Sequence, residues 1–353
     1  MSPVGASGYL SGLSYVAVGR ETTFATYNTC TAGLQCTSAN VSAIQEFKVL
    51  DQIDRYRDNS RGVRLMKKVK GDLEFHFAPQ LDACTFILQN AFGGTITSAT
   101  ATGETVGAGA SSGMTHTFNL GNMDQSYPSI CVNIRKGDTT TGRVFMYNGV
   151  RVNDIQFSAE IDSPLKCSVN LGIIDATQQT NDVSAAIGVT STALLNFTDG
   201  RISVETTFAS LTSTSFWHVI SCQFGWTNNL KQDNDAGRIG SAILTQLPVG
   251  MREHTLKCKI RFDTTTAFDA MMANTKLSAQ LQFQGPTLTS SAIRQGVRFD
   301  YPVVYIKDAG DPQIGGPDEV LTSDVEFAVL RDDTSSTGYA VQGIVTNSKS
   351  SFA

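Results

Sequence analysis

The chain has 353 residues, of which 41% are hydrophobic and 17% are charged, and its formal net charge is −5. This length and apolar content suffice for two or three domains with ordinary cores. Lysines and arginines are scattered among acidic residues, which argues against a nucleic-acid-binding face. No stretch approaches the roughly 18 apolar residues of a membrane-spanning helix. The N-terminus lacks the basic start and apolar run of a signal peptide, so we expect folding in a cytoplasm.

The seven cysteines are odd in number and lack paired spacing. Cys167 and Cys258 lie on the apolar side of strand-like alternations, which predicts buried thiols and no disulfides. Cys30 and Cys36 share one loop, and a bridge or metal pair between them is the alternative. No other Cys or His lies near that loop, so buried thiols are the favoured interpretation.

Alternation with a period of two recurs along the chain and predicts half-buried strands. In VRLMKKVKGDLEFHF the apolar positions, expected to face the core, are Val63, Leu65, Val69, Leu73, Phe75 and Phe77. The next segment, APQLDACTFILQNAFGG, changes to helical spacing, and Gly93 suits a C-terminal cap. Residues 93–113 are poor in large apolar side chains and predict an extended loop or hairpin.

The order of predicted elements repeats after a small and polar stretch at about 175–195. The second pass contains a helix in TTTAFDAMMAN, with Thr264 as its N-cap. The stretches VNDIQFSAEI (152–161) and TSDVEFAVLR (322–331) resemble each other. Aligning the first series of elements with the second gives three sets of matched residues: Phe77 with Phe262, Tyr127 and Pro128 with Tyr301 and Pro302, and Asp154 and Phe157 with Asp324 and Phe327. We interpret this order as a duplicated domain.

A search for catalytic or ligand-binding chemistry finds none that is convincing. The four histidines, His76, His116, His218 and His254, are far apart in sequence and lie in no metal-binding motif. The glycine-rich GAGASSG (107–113) lacks the Lys-Ser or Lys-Thr and the strand-to-helix setting of a phosphate loop. We therefore predict a protein that is not an enzyme and has no cofactor and no metal.

A charged segment, LDQIDRYRDNSRG (50–62), lies between two predicted strands and interleaves both signs of charge. Its charged residues are Asp51, Asp54, Arg55, Arg57, Asp58 and Arg61. A solvated loop is the simpler interpretation, but alternating charges also suit a docking arm between identical copies, which we favour. The first 40 residues are small and have little means of forming a core alone, so we expect them to be ordered against a neighbouring subunit.

In layout the sequence resembles the major tail tube proteins of long-tailed, non-contractile bacteriophages. The opening YVAVGRETTFAT is similar to the start of that family, and the long strand KKVKGDLEFHF followed by LDACTFILQNAFGG resembles its core. The end of the chain, DYPVVYIKDAGDPQIGGPDEVLTSDVEFAVL with its later VTN, resembles the closing strands of the family. The resemblance covers most of the chain.

The resemblance implies a mainly β fold, a β-sandwich or half-barrel with one flanking helix per domain, in two tandem tail-tube-type domains. The expected boundaries are an N-terminal arm (1–40), a first domain (41–175), a linker (176–200) and a second domain (201–353). On oligomerisation these domains would form a continuous β-barrel tube. Single-domain relatives close rings with six copies, so a duplicated chain implies trimeric rings with a sixfold look, unless one half decorates the outside and six chains close each ring.

The resemblance also implies partners and a location. Stacked rings would enclose the tape measure protein and then DNA, without sequence-specific contact, and would meet the tail tip and tail terminator proteins, with no membrane involved. The protein would be assembled in the host cytoplasm and reside in the virion. The charged segment is expected to stack the rings. Alternation, combined with the tube, predicts an acidic lumen that repels DNA, lined by Asp154, Glu160, Asp162, Asp324 and Glu326.

Two other classes of function are compatible with a β-rich duplicated chain. One is a surface adhesin or carbohydrate-binding module built from two sandwiches, which the missing signal peptide disfavours. The other is an enzyme with a site assembled between the halves, which requires a pocket with convergent polar groups that the sequence does not indicate.

Overall fold

A computed structural model of the chain describes residues 14–50, 61–101, 113–121, 128–137, 143–179, 193–211, 217–263, 265–288, 293–310, 320–333 and 338–349. The first half forms β1 (Tyr15–Arg20), β2 (Ala32–Leu34), β3 (Cys36–Val49), β4 (Gly62–His76), α1 (Asp82–Phe92), β5 (Gly93–Thr100), β6 (Met114–Leu120), β7 (Ile130–Lys136), β8 (Arg143–Glu160), β9 (Lys166–Ile173) and β10 (Asp175–Gln179). The second half forms β11 (Gly200–Glu205), β12 (Val219–Thr227), β13 (Glu253–Arg261), α2 (Thr266–Met272), β14 (Leu277–Thr287), β15 (Arg294–Ala309), β16 (Thr322–Leu330) and β17 (Gln342–Asn347).

Eight antiparallel strands form one sheet that runs through both halves, in the order β3–β4–β9–β8–β12–β13–β16–β15. The remaining strands form a second layer around β2–β1–β7–β8–β10 and around β11–β14–β15–β17–β6–β5. The long strands β8 and β15 belong to both layers. Each changes register at a bulge, and bulges bend a strand and increase its twist. The fold is therefore mainly β, with two α-helices among the described residues.

The two halves have the same topology. The order β3–β4–β9–β8 in the first half is matched by β12–β13–β16–β15 in the second. Bulges occupy equivalent places: Thr37 matches Ile220, Cys131 matches Ser278 and Asn153 matches Lys307. A matching backbone hydrogen bond, 2.9 Å in both halves, joins Phe77 N to Leu165 O and Phe262 N to Leu321 O. Shared irregularities of this kind support a duplicated unit rather than a coincidence of strand count.

The structure corrects two of the three residue pairings made from sequence. Phe77 and Phe262 are equivalent, as expected. Asp154, however, lies in β8, whose counterpart is β15, so it matches Asp308 rather than a residue of β16. By the same register, YNGVRVND (147–154) matches YPVVYIKD (301–308). Tyr301 therefore corresponds to Tyr147 and not to Tyr127, which lies outside the described residues. Neighbouring antiparallel strands alternate with the same period, so similarity between two strands does not identify which is the equivalent one.

A single aromatic core holds the halves together. The ring of Phe157, on β8, lies 5.7 Å from Phe77, 5.1 Å from Phe224 and 5.0 Å from Phe299. Phe224 and Phe299, both from the second half, are 5.0 Å apart. All four side chains are buried within one continuous cluster of apolar residues. The two halves therefore share a core, as expected when β8 and β12 are adjacent in one sheet.

Several local predictions can now be compared with the structure. The helices at 82–92 and 266–272 are confirmed, and Gly93 caps the first in the left-handed conformation with φ of 67°. The predicted hairpin after it is confirmed as β5 paired with β6. Thr264 and residues 102–112 lie outside the described part of the chain. Residues 175–179, within the stretch interpreted as a linker, form β10 on the edge of β8.

Two segments behave differently from expectation. Val63 and Leu65 were assigned to the core face, but both side chains are exposed, because this end of the β3–β4 hairpin projects beyond the rest of the sheet. Of the N-terminal 40 residues, those from 14 onward pack on their own chain. Val16 and Val18 of β1 are buried and pair with β7.

We expect Phe157→Ala to lower the free energy of unfolding by about 3–5 kcal/mol, because it removes a ring from a core that cannot fully collapse. Since rings from both halves line the cavity, urea denaturation followed by Trp fluorescence should show a single transition at lower urea. Phe197→Ala, at a partly exposed position, is the matched control with a small effect. Two separate transitions, with only one of them shifted, would contradict a shared core.

Candidate assembly and lumen surfaces

The junction between the halves is a strand pair. β8 and β12 are antiparallel partners over seven residues each, with Asp154 opposite Thr227, Phe157 opposite Phe224 and Glu160 opposite Ser221. Alternate side chains enter the aromatic core, and the others face away from it. The junction thus combines backbone hydrogen bonds with apolar burial. It is also the only place where the four-strand units of the two halves meet edge to edge in the described residues.

The C-terminus of α1 strengthens this junction. The indole Nε1 of Trp226 and the amide Nδ2 of Asn228 each donate to the carbonyl of Ala91 at 3.0 Å. Arg252 donates from Nη2 to the carbonyl of Phe92 at 3.3 Å. The last carbonyls of a helix lack intrahelical partners and carry partial negative charge, so these donors satisfy them favourably. The second half therefore caps a helix of the first.

Residues 228–252, which connect β12 to β13, continue across the first half, and we call them the bridging segment. Its Ala236, Leu244 and Leu247 form a small buried cluster with Ile174, against which Phe24 and Met66 also pack. Hydrogen bonds to its backbone carbonyls fix its path: the Arg151 side chain donates from Nη1 to the carbonyl of Leu247 at 2.8 Å, and Lys67 N donates to the carbonyl of Ala242 at 2.9 Å. The bridging segment covers an apolar surface of the first half that is otherwise open.

Both ends of the eight-strand sheet lack a strand partner within the described residues. β3 pairs with β4 on one side only, along its 14 residues. At the other end, the last residues of β15 pair with β16 alone. There the N–H of Ala309 is directed at the thioether sulfur of Met271 at 3.3 Å, and thioethers are weak acceptors. Long open edges are sites where another strand can add.

The face of the sheet opposite the aromatic core is polar. Asp154, Glu160, Asp324 and Glu326, four of the five predicted lumen residues, lie on this face, in register with polar residues of neighbouring strands. The fifth, Asp162, lies in the turn after β8 with φ of 64°. A cavity of about 460 Å³ opens on this face, and its lining includes Ser158, Glu160, Gln223, Lys257, Lys259, Asp324 and Glu326.

Lysines share this face with the carboxylates. Glu326 pairs with Lys307 at 2.9 Å and Lys257 at 3.2 Å, and these two hydrogen bonds, that of Lys307 first, lower the pKa of Glu326. On β9 and β4, Lys166 pairs with Glu74 at 3.0 Å. Partial burial raises the pKa of Asp154. The face is therefore mixed in charge, with salt-screened surface pairs that leave little net field.

The predicted ring-stacking residues fall almost entirely outside the described part of the chain, which omits residues 51–60. Of the six residues, only Arg61 is described. It is exposed next to the first residue of β4, at the turn end of the β3–β4 hairpin, and its carbonyl accepts a hydrogen bond from Leu50 N at 2.9 Å. Its stacking role stays a prediction.

Sequence reasoning missed a carboxylate that organises the N-terminal part of the fold. Glu21 Oε2 accepts from Ala25 N at 2.9 Å and from Ser129 Oγ at 2.6 Å, while Oε1 accepts from Gly149 N at 2.7 Å. Burial raises the pKa of Glu21, although these hydrogen bonds act against the shift. Glu21 begins ETTF (21–24), which recurs as ETTF at 205–208. The strand registers match Val18 to Val204, however, so Glu205 is not the counterpart of Glu21 and the recurrence does not mark equivalent positions.

Among the described residues, no three or more His, Cys, Asp or Glu side chains come together in a group that could hold a metal ion. The alternative of a bridge or metal pair between Cys30 and Cys36 is not what the structure shows. Cys30 lies beside Cys131, with the two sulfurs 2.9 Å apart. Cys222 and Cys258 are cross-strand neighbours at 3.2 Å. Among the helices that the structure describes, none is long and apolar enough to cross a membrane.

Comparison with known proteins identifies one family. The family model described as "Phage tail tube protein" matches residues 12–329. No curated protein matches the chain. Among solved structures, the chain is similar to one titled "Crystal structure of Hcp protein", at 10% identity and a TM-score of 0.25, over 36% of this chain and 86% of the other. At that TM-score the similarity carries no argument about the arrangement of the chain.

We expect stability to fall as the pH falls from 7 to 4, partly through His254. Burial, and then the charge of Arg252, lower the pKa of His254 from 6.5 to about 4. The unfolded chain therefore binds a proton first, and stability that is full above pH 6.5 is lost as the pH falls toward 4, by about 3 kcal/mol. Denaturation of His254→Leu should show a shallower pH dependence. Burial also lowers the pKa of His116, so part of the slope should remain. Equal slopes in both proteins would contradict this assignment.

Proposed function

Since the chain belongs to the phage tail tube protein family, we propose that three copies of it close each ring of the tube. The protein is a structural component of the virion that assembles with itself into stacked rings, and the family is not one of enzymes. The finer proposal concerns the number of chains in a ring and the surfaces that join them. It rests on one observation. The two strands that form the junction inside the chain, β8 and β12, have their counterparts, β15 and β3, at the two open ends of the sheet.

The equivalences supply a register for the junction between copies. β3 is the counterpart of β12, and β15 is the counterpart of β8. Repeating the β8–β12 pairing between copies places Ile44 of one copy opposite Asp308 of the next, as Thr227 lies opposite Asp154 within the chain. By the same shift, Ser42 lies opposite Gly310. The N–H of Ala309 then exchanges a weak sulfur acceptor for a backbone partner.

Ring size follows from counting equivalent units. The resemblance implies six units in a ring for single-domain relatives, and each copy of this chain supplies two four-strand units to one sheet. Three copies therefore supply six units. The alternative, in which one half decorates the outside and six copies close the ring, is disfavoured because both halves contribute equally to the sheet and share its core.

We propose that this polar face lines the lumen. Interleaved lysines and carboxylates on this face give a passing duplex few unpaired cations to bind, so DNA can slide without sequence-specific contact. The predicted acidic lumen thus becomes, in this proposal, a charge-balanced lumen with the same four carboxylates. Its occupants would be the tape measure protein and then DNA. A non-contractile tail, contacts with tail tip and terminator proteins, and assembly in the host cytoplasm complete the proposal.

The strand register can be tested by a disulfide between copies. Ile44 and Asp308 are exposed and stand at opposite ends of the sheet of one chain, so a bond between them joins two chains. Assembled tubes of the Ile44→Cys, Asp308→Cys variant, mildly oxidised and then denatured, should give covalent dimers and trimers and no larger species on non-reducing gels.

The matched control is Val49→Cys with Asp308→Cys. Val49 is exposed on the same strand as Ile44 but lies five residues out of register. We expect it to cross-link poorly. Covalent species of four to six chains would defeat the three-copy ring. Equal cross-linking by both variants would defeat the proposed register.

A further inference from the structure

Two buried thiols lie against each other in the first half of the chain. The sulfurs of Cys30 and Cys131 are 2.9 Å apart, and neither residue is exposed to solvent. Cys131 lies on β7, whereas Cys30 lies in the segment between β1 and β2, residues 21–31, which we call the β1–β2 connection. Both cysteines are free thiols in the structure. Thiols 101 residues apart in sequence are therefore already placed side by side, as an intrachain disulfide requires.

Gly19 provides the space for this contact. It lies on β1, directly opposite Cys131 of β7. A Cβ at this position would stand 2.9 Å from the carbonyl oxygen of Thr29, 3.0 Å from Cys131 Sγ and 3.1 Å from Cys30 Cα. Such distances are shorter than favourable contacts between carbon atoms. Because Gly19 has no side chain, the β1–β2 connection packs directly on the strand pair and brings Cys30 to Cys131.

Hydrogen bonds hold the two sulfurs in place. Cys131 Sγ donates to the carbonyl of Asn28 at 3.0 Å, which leaves the Cys30 thiol to donate to Cys131. The hydrogen bond from Cys30 lowers the pKa of Cys131, although burial opposes this shift. The thiolate is the reactive form of cysteine, so Cys131 is the thiol of this pair that reacts first.

The second half of the chain makes the same strand pair without a thiol contact. The strand registers match Gly19 with Glu205 and Cys131 with Ser278. Ser278 Oγ donates instead to the carbonyl of Pro302 at 2.7 Å. The fold of the repeated unit therefore does not require two cysteines at this place, and the contact is a feature of the first half alone.

A second pair of thiols provides an internal comparison. Cys222 and Cys258 are opposite each other on β12 and β13, with their sulfurs 3.2 Å apart. Both strands are paired on their two sides, and both thiols belong to the aromatic core. An oxidant reaches this pair only if the sheet opens. Cys30, in contrast, follows the exposed residues Asn28 and Thr29 in a connection without strand structure, and such segments open locally at lower cost.

We propose that Cys30 and Cys131 form a disulfide when the folded chain meets dioxygen, while Cys222 and Cys258 remain thiols. Each of the two reacting thiols gives up one proton and one electron, and a bond forms between the sulfurs. Dioxygen takes both electrons and both protons and leaves as hydrogen peroxide. Since a host cytoplasm keeps thiols reduced, the bond forms after the virion is released. Only this timing rests on the proposed function.

Peptide mapping tests the bond directly. The full chain, purified under reducing conditions, is kept either in air-saturated buffer or under nitrogen, then denatured in N-ethylmaleimide and digested without reduction. Mass spectrometry of the air-exposed sample should show the peptides of Cys30 and Cys131 joined, and those of Cys222 and Cys258 alkylated. Under nitrogen all four should be alkylated. Alkylated Cys30 and Cys131 after exposure to air would overturn the proposal, and so would a Cys222–Cys258 bond that forms equally fast.

A shift in thermal stability gives a second readout. Closing a loop of about 100 residues restricts the unfolded chain, so exposure to air should raise the unfolding midpoint of the unassembled chain by about 5 °C, and dithiothreitol should reverse the rise. Cys131→Ser introduces the residue found at the equivalent position of the second half and should abolish the rise, as should Cys30→Ser. Cys222→Ala should keep it. A rise that survives in both serine variants would contradict the assignment.

The bond and the ring can fail separately. The disulfide is measured in the unassembled chain, where its absence says nothing about the number of copies in a ring. Tubes of Cys131→Ser should contain the same number of chains per ring as tubes of the natural sequence. Loss of the three-copy ring would leave the Cys30–Cys131 bond standing, whereas a missing bond in air-exposed chain would leave the ring standing.

Discussion

The structure depends on the requirement that the backbone groups along a strand edge find partners. Within the chain, β8 and β12 satisfy this requirement for each other and join two similar four-strand units into one sheet. The same joining leaves the edges of β3 and β15 open at the ends. A sheet with long open edges tends to add further strands, and closure into a barrel is the arrangement that removes edges altogether. Self-assembly into a ring would thus repeat, between chains, the strand pairing that β8 and β12 make within one chain.

The β8–β12 junction includes side-chain contacts as well as backbone hydrogen bonds. This accounts for the similarity of the two halves in more than their strand order. Phe157 and Phe224 stack at the strand pair, α1 presents its C-terminal carbonyls to Trp226 and Asn228, and the bridging segment covers Ile174. A copy that meets another copy in the same way needs the same three layers of contact. The bulges at Asn153 and Lys307 bend both long strands at the same place, so each half presents its edge at a similar angle.

Much of the fold follows from sequence periodicity, because alternation and helical spacing are local properties. β4, α1 and the hairpin of β5 and β6 were predicted at or near their observed bounds. The pairing of Asp154 with Asp324 failed because the choice of partner strand in a sheet is not a local property of the sequence. Of the five carboxylates predicted to line a lumen, four lie on the face away from the core, as alternation indicated. Lys166 and Lys257 come from neighbouring strands, which the pattern of one strand cannot show. Val63 and Leu65 were misassigned because the end of β4 that carries them extends beyond its pairing with β9 and is exposed, which alternation alone does not show.

The central claim is that the β8–β12 junction is repeated between copies, so that two equivalent junctions alternate around the ring. Electron cryomicroscopy of assembled tubes, reconstructed without imposed rotational symmetry, tests it most directly. The account predicts three chains per ring, six similar strand junctions, and β3 of each chain beside β15 of the next, with Ile44 opposite Asp308. Six chains per ring, or a ring in which β3 remains unpaired while only one half lines the lumen, would contradict it.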